Sequence, residues 1–163
     1  MSGTGLVVLA AALVATAGAA WWLRTRNGAL RPVPGSAPAT GTARTGSEED
    51  LLSPQTVLAG LGVRAEEADL TVVQFSTAFC GPCRATRARL QQLQTTRPGL
   101  AYVHVDAESN LDAVRALGVQ RTPTLFYVDR AGAVVGRADG APPLPELAAA
   151  VDALTGGRAG VPG

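Results

Sequence analysis

Two cysteines three positions apart sit where a strand-like run gives way to a helical one, and this junction constrains the fold more than any other feature. Leu70 to Ser76 is a β-branched run of strand length. Cys80, Gly81, Pro82 and Cys83 follow it closely. From Pro82 to about Leu93 the periodicity turns helical, with Cys83, Thr86, Leu90 and Leu93 on one face and Arg84, Arg87 and Gln91 off it. Pro82 is tolerated there because first-turn N–H groups have no intrahelical partner. A disulfide this short closes almost no loop, so its formation gains little chain-entropy stabilisation. Scaffolding cysteines are spread along small secreted chains. Here two are the whole complement, and reactivity explains them better.

The junction supplies that reactivity. The thiolate is the nucleophile of disulfide exchange, and an ordinary cysteine is mostly protonated at neutral pH. At a helix N-terminus the unpaired N–H groups and the dipole stabilise an anion, the dipole by about 0.3–1 kcal/mol. Cys80 lies where those groups point. It is the expected attacking thiol, forming a mixed disulfide that Cys83, one turn further and more buried, resolves. A zinc site needs four ligands, and the one further candidate is the sole histidine, His104, so no metal is assigned. His104 itself reads as a solvent-facing strand residue.

The surrounding pattern alternates. A weak helix or turn spans Pro54 to Leu61, and Ala101 to Val105 is a second strand. Asn110 is a plausible N-cap for a helix from Leu111 to Leu117 that Gly118 stops. Thr124 to Val128 and Ala133 to Gly136 form a hairpin around Asp129-Arg130-Ala131-Gly132. A last helix runs from about Pro145 to Leu154. This order implies an α/β fold with a central mixed sheet, its βαβ half parallel and its hairpin antiparallel, flanked by helices.

At 163 residues the chain has room for one modest core plus accessory segments. Residues 1–4 form a stub. Gly5 to Leu23 is uncharged, and as a helix it spans roughly 28 Å, close to the ~30 Å hydrocarbon core of a bilayer. Trp21 and Trp22 end it as boundary aromatics, and Arg24, Arg26 and Arg31 follow. It reads as an uncleaved single-pass anchor in the plasma membrane. A cleaved signal peptide, with Ala17-Gly18-Ala19 as the cleavage site, and a buried helix are the alternatives. The basic flank places the following domain in the cytoplasm, an extracytoplasmic domain being the alternative. Residues 24–50 read as a flexible Pro/Gly/Ala-rich linker, residues 51–155 as the folded domain and residues 156–163 as a disordered tail. With a formal net charge of +1 and no basic stretch interleaved with aromatics, nucleic-acid binding has no support.

The segments VVQFSTAFCGPCRATRARL and RTPTLFYVDRAGAVVGRADGA resemble the two halves of thioredoxins, and the likeness runs from about Leu51 to Leu154. It implies a thioredoxin-like fold and a protein-disulfide reductase. Such an enzyme needs no cofactor beyond its Cys80–Cys83 dithiol, which an upstream thiol reductase recharges, and its partners are disulfide-containing client proteins. The Gly81-Pro82 pair resembles reducing members rather than oxidants. By the same likeness Thr122-Pro123-Thr124 is the cis-proline element against which clients pair, and Gly140 is the glycine in the adjoining loop. Three departures stand out. Phe79 replaces the usual tryptophan before the first cysteine. Gln74 replaces a buried aspartate, and Tyr102 that aspartate's lysine. Glutamine accepts no proton at neutral pH, so the buried base for the resolving thiol is missing. Ala88 replaces a helix-kinking proline, which implies a straighter helix.

Overall fold

The computed structural model describes residues 3–26, 30–31 and 53–156. In chain order the elements are α1 (Gly3–Arg26), β1 (Leu30–Arg31), α2 (Pro54–Gly60), a single 3-10 turn (Ala65–Glu67), β2 (Leu70–Ser76), α3 (Gly81–Thr96), β3 (Leu100–Asp106), α4 (Leu111–Ala116), β4 (Thr124–Asp129), β5 (Val134–Asp139) and α5 (Leu144–Gly156). The strands form one mixed sheet in the order β1-β5-β4-β2-β3. β2 and β3 run parallel, and the pairs β2/β4, β4/β5 and β1/β5 are antiparallel.

Side-chain parity divides the core in two. Alternate residues of a strand face opposite sides. Val73, Phe75, Val105, Phe126 and Val128 point to the side carrying α2 and α4, where they meet Leu58, Ala113 and Leu117. Leu70, Val72, Leu100, Leu125 and Tyr127 point to the other side and meet Leu90 and Leu93 of α3 and Leu147, Ala150 and Val151 of α5. Gln74 shares the second parity, which puts it beneath α3.

Local chemistry accounts for the element ends. Ser53 caps α2, its hydroxyl accepting the Thr56 N–H at 3.3 Å, with Pro54 next. α3 runs unbroken to Thr96, past the expected Leu93, and buries Cys83, Thr86, Leu90 and Leu93 as the periodicity implies. Asn110 is the N-cap residue of α4, as expected, but its side chain makes no capping hydrogen bond and instead donates to the Asp106 carbonyl at 2.8 Å. Gly118, with φ 58°, follows the end of α4. In the hairpin the Asp129 carboxylate accepts the N–H groups of Ala131 and Ala133, each at 2.9 Å. β5 continues to Asp139, three residues further than its apolar pattern implies, because both of its edges are paired.

The N-terminal expectations need correction. Among the described residues no helix is long and apolar enough to cross a membrane, so the expected spanning helix is not supported. Nor do residues 24–50 form a linker throughout. Arg24 and Arg26 complete α1, and Leu30 and Arg31 pair with Ala138 and Arg137 as an edge strand. Leu30 packs over Gly136, where a Cβ would lie 2.9 Å from Leu30 Cδ1. The rest of that linker, residues 27–29 and 32–50, lies outside the described residues, as do residues 157–163 of the expected tail; Gly156 closes α5.

Candidate functional site

β2 leaves the sheet at Ser76, and the three residues 77–79 carry the chain to the mouth of α3. Cys80 is the N-cap of that helix, in extended backbone conformation, and its Sγ accepts the Cys83 N–H at 3.1 Å. A cap normally uses a side-chain oxygen for this purpose; here sulfur takes the place. Cys80 and Cys83 are joined in a disulfide with their Cα atoms 5.2 Å apart. Their environments differ. Cys80 is half-buried, whereas Cys83 is only 4% exposed. Gly81 and Pro82 form the exposed first turn, and Phe79, 96% exposed, stands beside it as an apolar flank.

Beneath the helix lies a polar floor. Gln74 is 1% exposed, its Nε2 donates to the Cys83 carbonyl at 3.1 Å, and its Oε1 accepts from the Tyr102 hydroxyl at 3.3 Å. Thr86, one turn after Pro82, donates its hydroxyl to the Pro82 carbonyl at 3.0 Å. Burial holds the Tyr102 phenol above its ordinary value, with the Arg87 charge opposing, so Tyr102 stays a neutral donor. The amide thus satisfies both of its ends without carrying a charge.

Thr122-Pro123 is cis and Pro123 is buried. Thr124, the next residue, lies opposite Phe75, so the proline sits at the end of the sheet from which the cysteine loop departs. The Gly140 N–H donates to the Pro123 carbonyl at 2.8 Å. Gly140 has φ 107°, a conformation that side-chain-bearing residues rarely adopt. Thr122-Pro123 and Gly140, separated in sequence, are therefore one structural unit.

A cleft of about 340 Å³ opens beside the disulfide, lined by Gln74, Ser76, Cys80, Cys83, Arg84, Arg87, His104 and Asp106 among others. Register explains the gathering. Gln74 pairs with His104 and Ser76 with Asp106 across β2 and β3, so all four share the α3 side. His104 is exposed, as expected, yet its Nε2 is bonded to the Ser76 hydroxyl and its ring lines the cleft. Sequence reasoning left His104, Ser76 and the two arginines out of the site. The parity of β3, once paired with β2, was the signal that could have found the histidine.

The thioredoxin family profile matches residues 62–153, more than half the chain. The chain belongs to the thioredoxin family. Thioredoxin H4-2 of Oryza sativa subsp. japonica is 29% identical over 63 residues, 39% of this chain and 48% of that protein. Thioredoxin-2 of Dictyostelium discoideum is 35% identical over 69 residues, 42% of this chain and 77% of its own. Among solved structures, Fasciola hepatica thioredoxin aligns at a TM-score of 0.51 with 27% identity, covering 59% of this chain and 89% of that one. The chain spans about half the length of several of the curated relatives it matches. Within this thioredoxin-family domain, Cys83 thus rests on a neutral amide rather than on an acid.

Proposed function

We propose that this chain is a thiol–disulfide oxidoreductase that reduces protein disulfides with the Cys80–Cys83 dithiol. One observation carries the reading: Cys80 is the N-cap of α3, with its sulfur accepting a helix N–H. A thiolate at that atom is stabilised by the donors left open at a helix start. Cys80 attacks a client disulfide, the client's leaving sulfur departs as thiolate, and Cys83 then attacks Cys80 to release the second client thiol. The client segment lies alongside Thr122, Pro123 and Gly140, pairing its backbone in β fashion. The chemistry calls on no cofactor, and a separate thiol reductase returns the disulfide to dithiol. Insulin reduction tests this. Cys80→Ser abolishes turnover, and Cys83→Ser accumulates a mixed disulfide with clients. Turnover that survives Cys80→Ser would sink the assignment and leave a fold used only for binding.

The second element of the proposal is a membrane tether through α1. Its support is composition and exposure: Val7, Val8, Leu9, Leu13, Val14, Trp21 and Trp22 are all exposed, and Arg24 and Arg26 close the helix. A helix apolar all round needs an apolar surround. The basic flank puts the thioredoxin-family domain on the cytoplasmic face of the plasma membrane. Alkaline carbonate extraction of membranes checks the tether, since a chain released to the supernatant is not anchored. Labelling of Cys80 by a membrane-impermeant thiol reagent in intact cells would place the domain outside instead.

A further inference from the structure

The resolving step needs a proton acceptor, and the residue beneath Cys83 is an amide that cannot supply one. Cys83 must lose its S–H proton before it attacks, and the departing client thiolate must gain one. Among the cleft residues, Arg84 and Arg87 are permanently charged at physiological pH. The Asp106 carboxyl is held below the ordinary carboxylate range, first by the Ser109 hydroxyl and then by the Glu108 N–H, which makes it a weak base. Histidine is the side chain suited to exchanging a proton between pH 5 and 8. His104 is in the same cleft as both cysteines and directly opposite Gln74 across the β2/β3 ladder.

We propose that His104 is the acid–base group of the resolving step and that Ser76 is its positioning residue. This rests on the oxidoreductase reading above. Ser76 is 2% exposed, too enclosed to serve as a nucleophile itself, and its hydroxyl holds Nε2. In the tautomer whose Nε2–H donates to the Ser76 oxygen, that contact orients the ring and leaves Nδ1 as the nitrogen that takes and returns a proton. The cleft has room for a bridging water. In the step, the Cys83 S–H bond breaks and its proton passes to His104. The Cys83–Cys80 S–S bond forms as the Cys80–client S–S bond breaks, and the leaving client thiolate recovers the proton from the imidazolium. The client disulfide gains two electrons in all and the protein dithiol loses two. The charged and titratable groups around the imidazole are Asp106 of its own strand and Arg84 and Arg87 of α3, which line the same cleft, and Tyr102, which shares its face of β3. The proton carrier is thus an exposed residue of the cleft lining, and the buried Gln74 beneath α3 stays neutral.

The test is stopped-flow reduction of a peptide disulfide by the reduced full chain, over about pH 5 to 9. At saturating peptide the concentration-independent phase reports resolution. His104→Ala is expected to slow that phase by about 100-fold at neutral pH, the low end of what a positioned acid–base group contributes. Formation of the mixed disulfide is expected to be spared, and free imidazole is expected to restore part of the loss, which a merely structural role would not allow. Ser76→Ala is expected to give a smaller loss and a displaced pH profile. Independently, the NMR titration of His104 is expected to differ between the oxidised and reduced chain, since two groups that exchange a proton titrate as a coupled pair. An unchanged pH profile in His104→Ala, an absence of imidazole rescue, or identical titrations in both redox states would each overturn the proposal while leaving insulin reduction intact. A wild-type chain that forms no mixed disulfide overturns the oxidoreductase reading and this one with it.

Discussion

The two faces of the sheet are built from the same strands, residue by alternate residue, and are put to different uses. The strand side chains buried under α2 and α4 are apolar apart from Thr71 and Thr124: Val73 and Phe75 of β2 meet Phe126, Val128 and Leu58, and the rings of Phe75 and Phe126 meet edge to face at 5.7 Å. The face under α3 and α5 is apolar only at the end that holds Leu70, Val72 and Tyr127. Towards the cysteines it turns polar, with Gln74, Ser76, Tyr102 and His104. The polar groups on the α3 side are hydrogen-bonded to one another or to α3, as burial of polar atoms requires. The lesson is positional. On the α3 side polarity enters the interior at the end of the sheet where the dithiol sits, and the polar side chains there have partners.

That contrast predicts unequal responses to substitution. The largest effect falls on the apolar face. Phe75 is wholly buried, and Phe75→Ala is expected to cost about 3–5 kcal/mol in a denaturant titration. A loss below about 1 kcal/mol would mean that this face is not the main structural core. On the polar face, Gln74→Asp puts an ionisable group under Cys83. It is expected to accelerate single-turnover disulfide reduction near neutral pH by about tenfold, below what a fully positioned base contributes. No change in rate would mean that the amide is not what limits the resolving thiol.

Smaller effects sharpen the comparison. Thr71, 1% exposed, belongs to the apolar face, and its hydroxyl is the one buried side-chain polar atom among the described residues without a partner. Thr71→Val keeps the shape and removes the orphan, so it is expected to stabilise the chain by about 1 kcal/mol, read as a higher denaturant midpoint. The same change at Thr86, whose hydroxyl is bonded to the Pro82 carbonyl, is expected to destabilise. The smallest effect lies outside both faces. Asp152 accepts two hydrogen bonds from Arg97, at 2.7 and 2.8 Å, which hold its carboxyl below the ordinary range. A depressed folded-state pKa gives stability that is present above the unfolded value near pH 4 and is lost as pH falls through the folded one. Asp152→Asn is therefore expected to flatten part of the acid limb of the stability curve, with little change at neutral pH because the pair is exposed.

Much of this was legible in order along the chain. The strand–cysteine–helix junction, the buried stripe Cys83, Thr86, Leu90 and Leu93, the hairpin around Asp129 and the stop at Gly118 all follow from local rules, because periodicity and turn chemistry act over a few residues. Features set by long-range pairing were not. The edge strand at Leu30 has no periodic signal, and it exists because Gly136, more than a hundred positions away, leaves room for the leucine. Arg137 gives no warning that its guanidinium ties β5 to the end of α4 by donating to the Leu117 and Gly118 carbonyls at 2.7 and 2.9 Å. Asn110 takes the N-cap position its residue type suits, yet the Asp106 carbonyl draws its side chain away from capping.

By itself, then, the sequence determined that a close cysteine pair opens a helix behind a strand, since each of those statements depends only on neighbours in the chain. It also determined that Gln74 cannot act as an acid or a base, because that is a property of the side chain. Only the tertiary structure decided what stands around the pair. The parallel register of β2 and β3 sets His104 opposite Gln74, and the antiparallel register of β2 and β4 brings Pro123 to the same end of the sheet. The physical reason is that a one-residue slip of register would turn His104 to the opposite face, and register is settled by burying two apolar faces at once.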